Sequence, residues 1–208
     1  MKFVLFVEGH TERKAVPILL KQWLDERLNQ KIGIKPVRFD GWSELVKDLP
    51  VKTRLYLHGP ASEDTIAVIG LLDLYGPTFY PPRLVLPQER IEWGTRYLQE
   101  RANDERFRMF FAVHELEAWL LSDPTLFPVQ VQRALPASVQ RPETVDFETP
   151  PKKLLASLYW AKQKKHYREL VDGGDLFSKL KPAKVYEKCP YFAHMLDEMV
   201  ALARDAGF

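Results

Sequence analysis

Cysteine is all but missing from this chain: there is one, Cys189, in 208 residues. A disulfide framework is excluded, and a reducing, cytoplasmic setting is the expectation. Long hydrophobic runs are missing too. No apolar stretch approaches the about 18 residues that a membrane helix needs. The chain opens on a strand-like pattern, without a basic region leading into an apolar signal core, so neither a secretory signal nor a membrane span is expected. A glycine-rich loop ending in Gly-Lys-Ser/Thr is absent, and neither Gly9 nor the Gly173-Gly174-Asp175 stretch makes a dinucleotide fingerprint. Nucleotide hydrolysis therefore lacks its usual phosphate cradle. "HELEAW" (114–119) is not the zinc-protease pattern, because Ala118 stands where the second histidine belongs. Cys189, next to Pro190 in apolar surroundings, reads as core rather than nucleophile.

What is present is enough for a substantial core: 46% of the residues are hydrophobic. The length suits one large domain or a core with an appended subdomain. Net charge is only +2, yet it is uneven. Residues 150–190 carry ten Lys and Arg against four Asp and Glu, whereas residues 1–149 carry 19 against 21. A basic block beside a carboxylate-rich core suits a polyanionic partner handled at a metal-binding centre; a solvated, lysine-rich helix face is the plainer reading.

Periodicity gives the architecture. "KFVLFV" (2–7) is a β-branched and aromatic run that predicts a buried strand. From Thr11, a plausible N-cap, the apolar spacing becomes helical through Val16, Leu19, Leu20, Trp23, Leu24 and Leu28. Pro17 predicts a late start or a kink. "KPVRFDGW" (35–42) predicts a second strand, and 43–59 a helix interrupted by proline. "DTIAVIGLLDLYG" (64–76) predicts a central strand, apolar from Ile66 to Leu72 as befits burial on both faces. A helix over 88–103 follows, then a strand near Phe107 to Val113 that turns into a helix carrying Leu116, Trp119 and Leu120. This alternation predicts an α/β fold with a mainly parallel sheet flanked by helices over 1–123. After Pro124 prolines cluster, and helices near 152–166 and 190–204 predict a helical C-terminal extension, 124–208, packed on that core.

The acids fall where such a fold does its chemistry. Ligands bind beyond the carboxyl ends of the strands in open parallel sheets. The first predicted strand exits at Glu8, the central one at Asp73, and the last runs into Glu115 and Glu117. Glu12 lies one helical turn past Glu8. Gathered at one edge these carboxylates repel, and a hard cation such as Mg²⁺ or Mn²⁺ relieves the conflict. Each acid alone has a plainer role. Glu12, Glu115 or Glu117 can be a first-turn acid favoured by the helix dipole, and Asp73 can cap the turn that follows it. His114 reads equally as a supporting or acid/base group and as a cap for the next helix.

"VEGHTE", "LLDLYG" and "HELEAWLL", in that order, resemble the TOPRIM-type domain, the catalytic core shared by topoisomerases, primases and certain nucleases. Glu-Gly followed by Glu at the fourth position is similar to the overcoming-lysogenisation-defect (OLD) nucleases. With "CPYFAHML" included, nearly the whole chain resembles an uncharacterised bacterial TOPRIM-like family, a domain of unknown function. The resemblance implies Mg²⁺- or Mn²⁺-dependent phosphodiester or phosphoryl-transfer chemistry on DNA or RNA, in a setting such as bacterial defence. It implies Glu8 as general acid/base or metal-bound glutamate, Glu12 at a second metal, Asp73 as first acid of Asp-x-Asp, and Glu115 or Glu117 as the acid of the fourth strand. OLD-type nucleases also use a downstream lysine near the scissile phosphate, for which Lys152, Lys153 and Lys165 are candidates. One position departs: Tyr75 replaces the second aspartate, and a phenol is a poor Mg²⁺ ligand near neutral pH. Either Glu115 and Glu117 replace that acid, or one metal is bound, or the scaffold has become a non-catalytic nucleic-acid-binding or adaptor module. A partner protein or a second copy of the chain fits either alternative.

Overall fold

The apolar, β-branched runs become four strands of one sheet in the computed structural model, which describes residues 1–60, 62–144 and 149–208. They are β1 (Lys2–Val7), β2 (Gly33–Arg38), β3 (Thr65–Asp73) and β4 (Phe107–Ala112), all parallel, in the order β2-β1-β3-β4. Helices α1 (His10–Asp25), α2 (Trp42–His58) and α3 (Pro87–Ala102) join them in turn. Side chains alternate across the sheet as the two-residue period of a strand requires. Phe3, Leu5, Val7, Ile69 and Leu71 face the core shared with α1. Val4, Phe6, Val68 and Leu72 face the core shared with α2 and α3. Burial of β3 from Thr65 to Leu72 follows from that two-sided cover. The mixed α/β architecture is the one the alternating sequence pattern predicts.

Within the sheet and its connecting helices, three details differ from the sequence expectation. The second strand lies at 33–38 rather than 35–42; as an edge strand it accommodates Pro36, whose missing N–H costs no ladder bond there. The first helix begins at His10 with Gly9 as its N-cap in extended conformation, so Thr11 is inside the helix and Pro17 delays nothing. Pro50 does not interrupt α2 either. A proline removes the N–H that would reach the carbonyl four residues back, which here is Val46. The Arg101 guanidinium, from α3, supplies the missing donor: its Nε lies 2.7 Å from the Val46 carbonyl oxygen. Arg101→Met is therefore expected to cost about 1–2 kcal/mol by leaving that carbonyl unpaired. The urea midpoint should fall in this variant and stay put in a Pro50→Ala, Arg101→Met double variant, where the helix regains its own donor.

Beyond β4 the described residues form helices: α4 (Glu117–Leu121), α5 (Val129–Gln132), α6 (Pro151–Gln163), α7 (Gly174–Lys179), α8 (Pro182–Lys188) and α9 (Pro190–Asp205), with a π-helical turn at Glu169–Gly173. α6 and α9 occupy the two predicted helical stretches; α5, α7 and α8 are too short for periodicity to reveal. α6 ends three residues before the expected 166, because Lys164 turns left-handed at φ 55° and closes the helix by donating its N–H to Trp160. α9 lays Phe192, Met195, Leu196 and Met199 into the core that also holds Phe3, Leu20 and Trp23. Its first N–H groups are met from a distance. The buried Glu143 carboxylate accepts from the N–H of Tyr191 at 2.9 Å and of Phe192 at 3.3 Å. Burial outweighs those two bonds and pushes Glu143 up to about 7. Among the described residues no helix is long and apolar enough to cross a membrane.

Candidate functional site

The chain leaves β1 towards β2 and leaves the adjacent β3 towards β4, so the two central strands diverge at their carboxyl ends. Such a divergence opens the crevice in which open parallel sheets bind ligands. Glu8 is the first residue past β1 and Asp73 the last of β3, so both stand at that crevice. Glu115 and Glu117 follow β4, on the far side of β3, and Glu12 sits in the first turn of α1.

Backbone N–H groups from several elements hold these acids. Asp73 N–H donates to Glu8 Oε1 at 3.0 Å, and the Trp42 N–H donates to the same carboxylate. Leu116 N–H donates to Asp73 Oδ1 at 3.0 Å, which pins the loop after β4 onto the end of β3. Lys152 N–H, at the start of α6, donates to Glu115 Oε2 at 3.0 Å. The amino end of a helix favours negative charge, so α6 docks on the core through the acid.

Burial and like charge both act on these acids. Burial pushes the Glu8 carboxyl up to about 6, with Glu12 adding repulsion. Asp73 is held well above the usual carboxylate range, first by desolvation and then by repulsion from Glu8, Glu12, Glu117 and Glu115. Although it keeps some surface, it is densely enclosed, and the charges that act on it most are of its own sign. Burial lifts Glu117 to about 7, and it raises Glu12 and Glu115 as well. Glu12 Oε2 is buried without a hydrogen-bond partner among the described residues. A Cβ at Gly9 would stand 2.1 Å from that oxygen, so the glycine leaves room for the carboxylate at the strand exit.

Sequence reasoning missed Glu169, in the π-helical turn. Its charge raises Glu12, Glu115 and Glu117, and its carboxylate pairs with the Lys152 ammonium. The signal was faint: one of four acids in an otherwise basic block, with no periodicity to place it. Lys152 in turn draws the values of Glu12, Glu115 and Glu117 back down. Of the three candidate lysines, Lys152 lies within this cluster and Lys153 acts on Glu115, whereas Lys165 lines a separate cavity. His114 is buried and left-handed at φ 68°; its carbonyl accepts the Tyr75 N–H at 2.7 Å. α4 begins at Glu117 with Leu116 as its N-cap, so His114 stands outside that helix.

An all-oxygen set with suppressed ionisation, including a buried Glu12 oxygen without a hydrogen-bond partner among the described residues, is of the ligand chemistry that hard divalent cations take. The set is gathered rather than closed: among the described residues no three acidic, histidine or cysteine groups converge tightly enough to hold a metal ion.

No curated protein matches the chain. Among solved structures it is similar to the C-terminal region of the Burkholderia pseudomallei OLD protein, with 22% identity and a TM-score of 0.51 over 99% of this chain and 98% of that one. It also matches the C-terminal region of the Xanthomonas campestris pv. campestris OLD protein, with 18% identity and a TM-score of 0.44 over 100% and 97%. The first likeness is one of fold. The family described as Domain of unknown function (DUF4276) matches residues 7–200, from the end of β1 into α9, and the chain belongs to that family.

Proposed function

We propose that this chain is a divalent-metal-dependent nuclease of the TOPRIM type, cleaving phosphodiester bonds of DNA or RNA. One observation carries the reading. Neighbouring strands bring Glu8, Asp73 and the Glu115–Glu117 pair to one edge, where burial and mutual repulsion hold their ionisation down. An arrangement that costs stability when ionised and empty gains from a bound cation.

Glu8, Asp73 and Glu117 would hold Mg²⁺ or Mn²⁺, with Glu12 and Glu115 as further ligands. When bound, such an ion supplies charge neutralisation at a phosphodiester and lowers the pKa of a coordinated water. The chain's own groups do the rest. The N–H groups of Asp73, Trp42 and Leu116 orient the Glu8 and Asp73 carboxylates. Lys152, paired with Glu169, acts on Glu12, Glu115 and Glu117 and would balance a phosphate that enters the cluster.

The test is incubation of the purified chain with single- and double-stranded DNA and RNA, with Mg²⁺, with Mn²⁺ and with chelator. Cleavage that needs the metal is the expected result. Tyr75 favours a second reading, the non-catalytic adaptor, since a phenol does not replace the second aspartate of Asp-x-Asp. Salt-sensitive binding without cleavage under any metal would establish that reading and end the first.

A further inference from the structure

Outside the carboxylate cluster lies a cavity of about 750 Å³ between α6 and the segments around Phe127 and Leu176. Its apolar wall includes Phe127, Tyr159 and Leu176, and its charged lining is mixed: Lys165, His166 and Arg168 with Asp172 and Asp175. Asp172 engages Arg168, accepting from its N–H at 2.7 Å and from Nε at 3.4 Å. Tyr167 touches the cavity wall and feels the acids' charge. Its ring packs on Tyr159 at 5.4 Å, and its buried hydroxyl, without a hydrogen-bond partner among the described residues, feels the charges of Glu117 and Glu169.

Above the rim, Trp160 is 53% exposed, unusual for so large an apolar ring. It stacks on His166 at 4.9 Å and 25°, an arrangement set by the left-handed turn at Lys164. Left-handed backbone costs a lysine roughly 1–2 kcal/mol, so this turn is held at a cost. Residues 162–168 carry Lys162, Lys164, Lys165 and Arg168 and no acid. Exposed aromatic faces among cations are how proteins hold single-stranded nucleic acid, because an unpaired base offers its π-face while a duplex hides it.

We propose that the Trp160–His166 pair and the cavity beside it hold an unpaired stretch of the nucleic acid whose scissile phosphate lies at the carboxylates. One base stacks on the exposed rings, and Lys164 and Lys165 grip the phosphates. The inference rests on the nuclease reading above and adds strandedness to it. α6 runs from Lys152, within the carboxylate cluster, to Lys164 beside the platform, a rise of about 18 Å at 1.5 Å per residue. A stacked strand covers that distance in about five nucleotides at 3.4 Å each.

The experiment measures anisotropy of a labelled oligothymidylate, an abasic strand of equal length and a duplex. Ca²⁺ replaces Mg²⁺ as a hard cation of the same oxygen preference. The oligothymidylate should bind tightest. Trp160→Ala, at an exposed position, should weaken that binding about 5- to 100-fold and leave the abasic strand unchanged. Lys165→Gln should weaken both strands and lower the salt slope by about one. Unchanged oligothymidylate binding by Trp160→Ala, or equal binding of the abasic strand, overturns this inference. Metal-dependent cleavage in the same preparation would then leave the nuclease reading standing. Wild-type protein that binds no nucleic acid overturns both.

Discussion

Asp73→Asn is expected to abolish metal-dependent cleavage and, at the same time, to make the metal-free protein more stable. The two effects have one cause. Asp73 sits at the end of β3 with Glu8, Glu12, Glu115 and Glu117 all adding repulsion. An amide of the same shape keeps an oxygen for the Leu116 N–H and removes one charge from the cluster. Loss of one such like-charged group is worth about 1–3 kcal/mol, a rise of about 2–10 °C in Tm for a chain of this size. Cleavage should fall by about 10²-fold or more, the scale of losing one strong electrostatic contribution to a transition state. Metal-induced stabilisation should vanish along with it. Thermal melts with and without Mn²⁺, beside a cleavage assay, read all three. A variant that melts lower than wild type and still gains from Mn²⁺ would remove Asp73 from the metal-binding role.

The second large effect is a pH dependence opposite to the usual acid denaturation. In the fold, burial raises Glu8 from the ordinary 4.5 to about 6, and it raises Glu117 and Glu143 to about 7. Groups whose folded values lie above their unfolded ones bind more protons in the native state. Stability from these three groups is therefore present in full below pH 4.5 and is lost as pH rises towards 7. For Glu117, only 4% exposed, the loss is at most about 3 kcal/mol. Mn²⁺ binds the ionised carboxylates, so the Tm increment it gives should grow across the same interval. Melting curves between pH 4.5 and 7.5, with chelator and with Mn²⁺, test this. Equal increments at both ends would show that the metal binds elsewhere. Glu143 lies at the amino end of α9, apart from the cluster, so Glu143→Gln should flatten the chelator curve without altering the Mn²⁺ increment.

Much of this was legible in the residues alone. Five apolar residues before Glu8, and the apolar run before Asp73, marked buried strands with acids at their exits, because burial on both faces removes the alternation a half-exposed strand would show. Helical spacing gave α1, α3 and α9 to within a few residues. What periodicity does not carry is compensation across the chain. Pro50 read as a break because its partner donor, Arg101, is 51 positions away in sequence. Glu143 carried no local sign that it meets the first N–H groups of α9.

By itself, then, the sequence determined the class of fold, the identity of the acids and their place at strand ends, since these follow from local hydrophobic period and from the rule that parallel strands share a carboxyl edge. Tertiary structure alone decided the company those acids keep. Strand order β2-β1-β3-β4 makes Glu8 and Asp73 neighbours, and the docking of α6 and the π-helical turn adds Lys152 and Glu169 while taking Lys165 to a separate cavity. Coulomb energy depends on distance through space and on desolvation, and neither quantity is written in the spacing of residues along a chain.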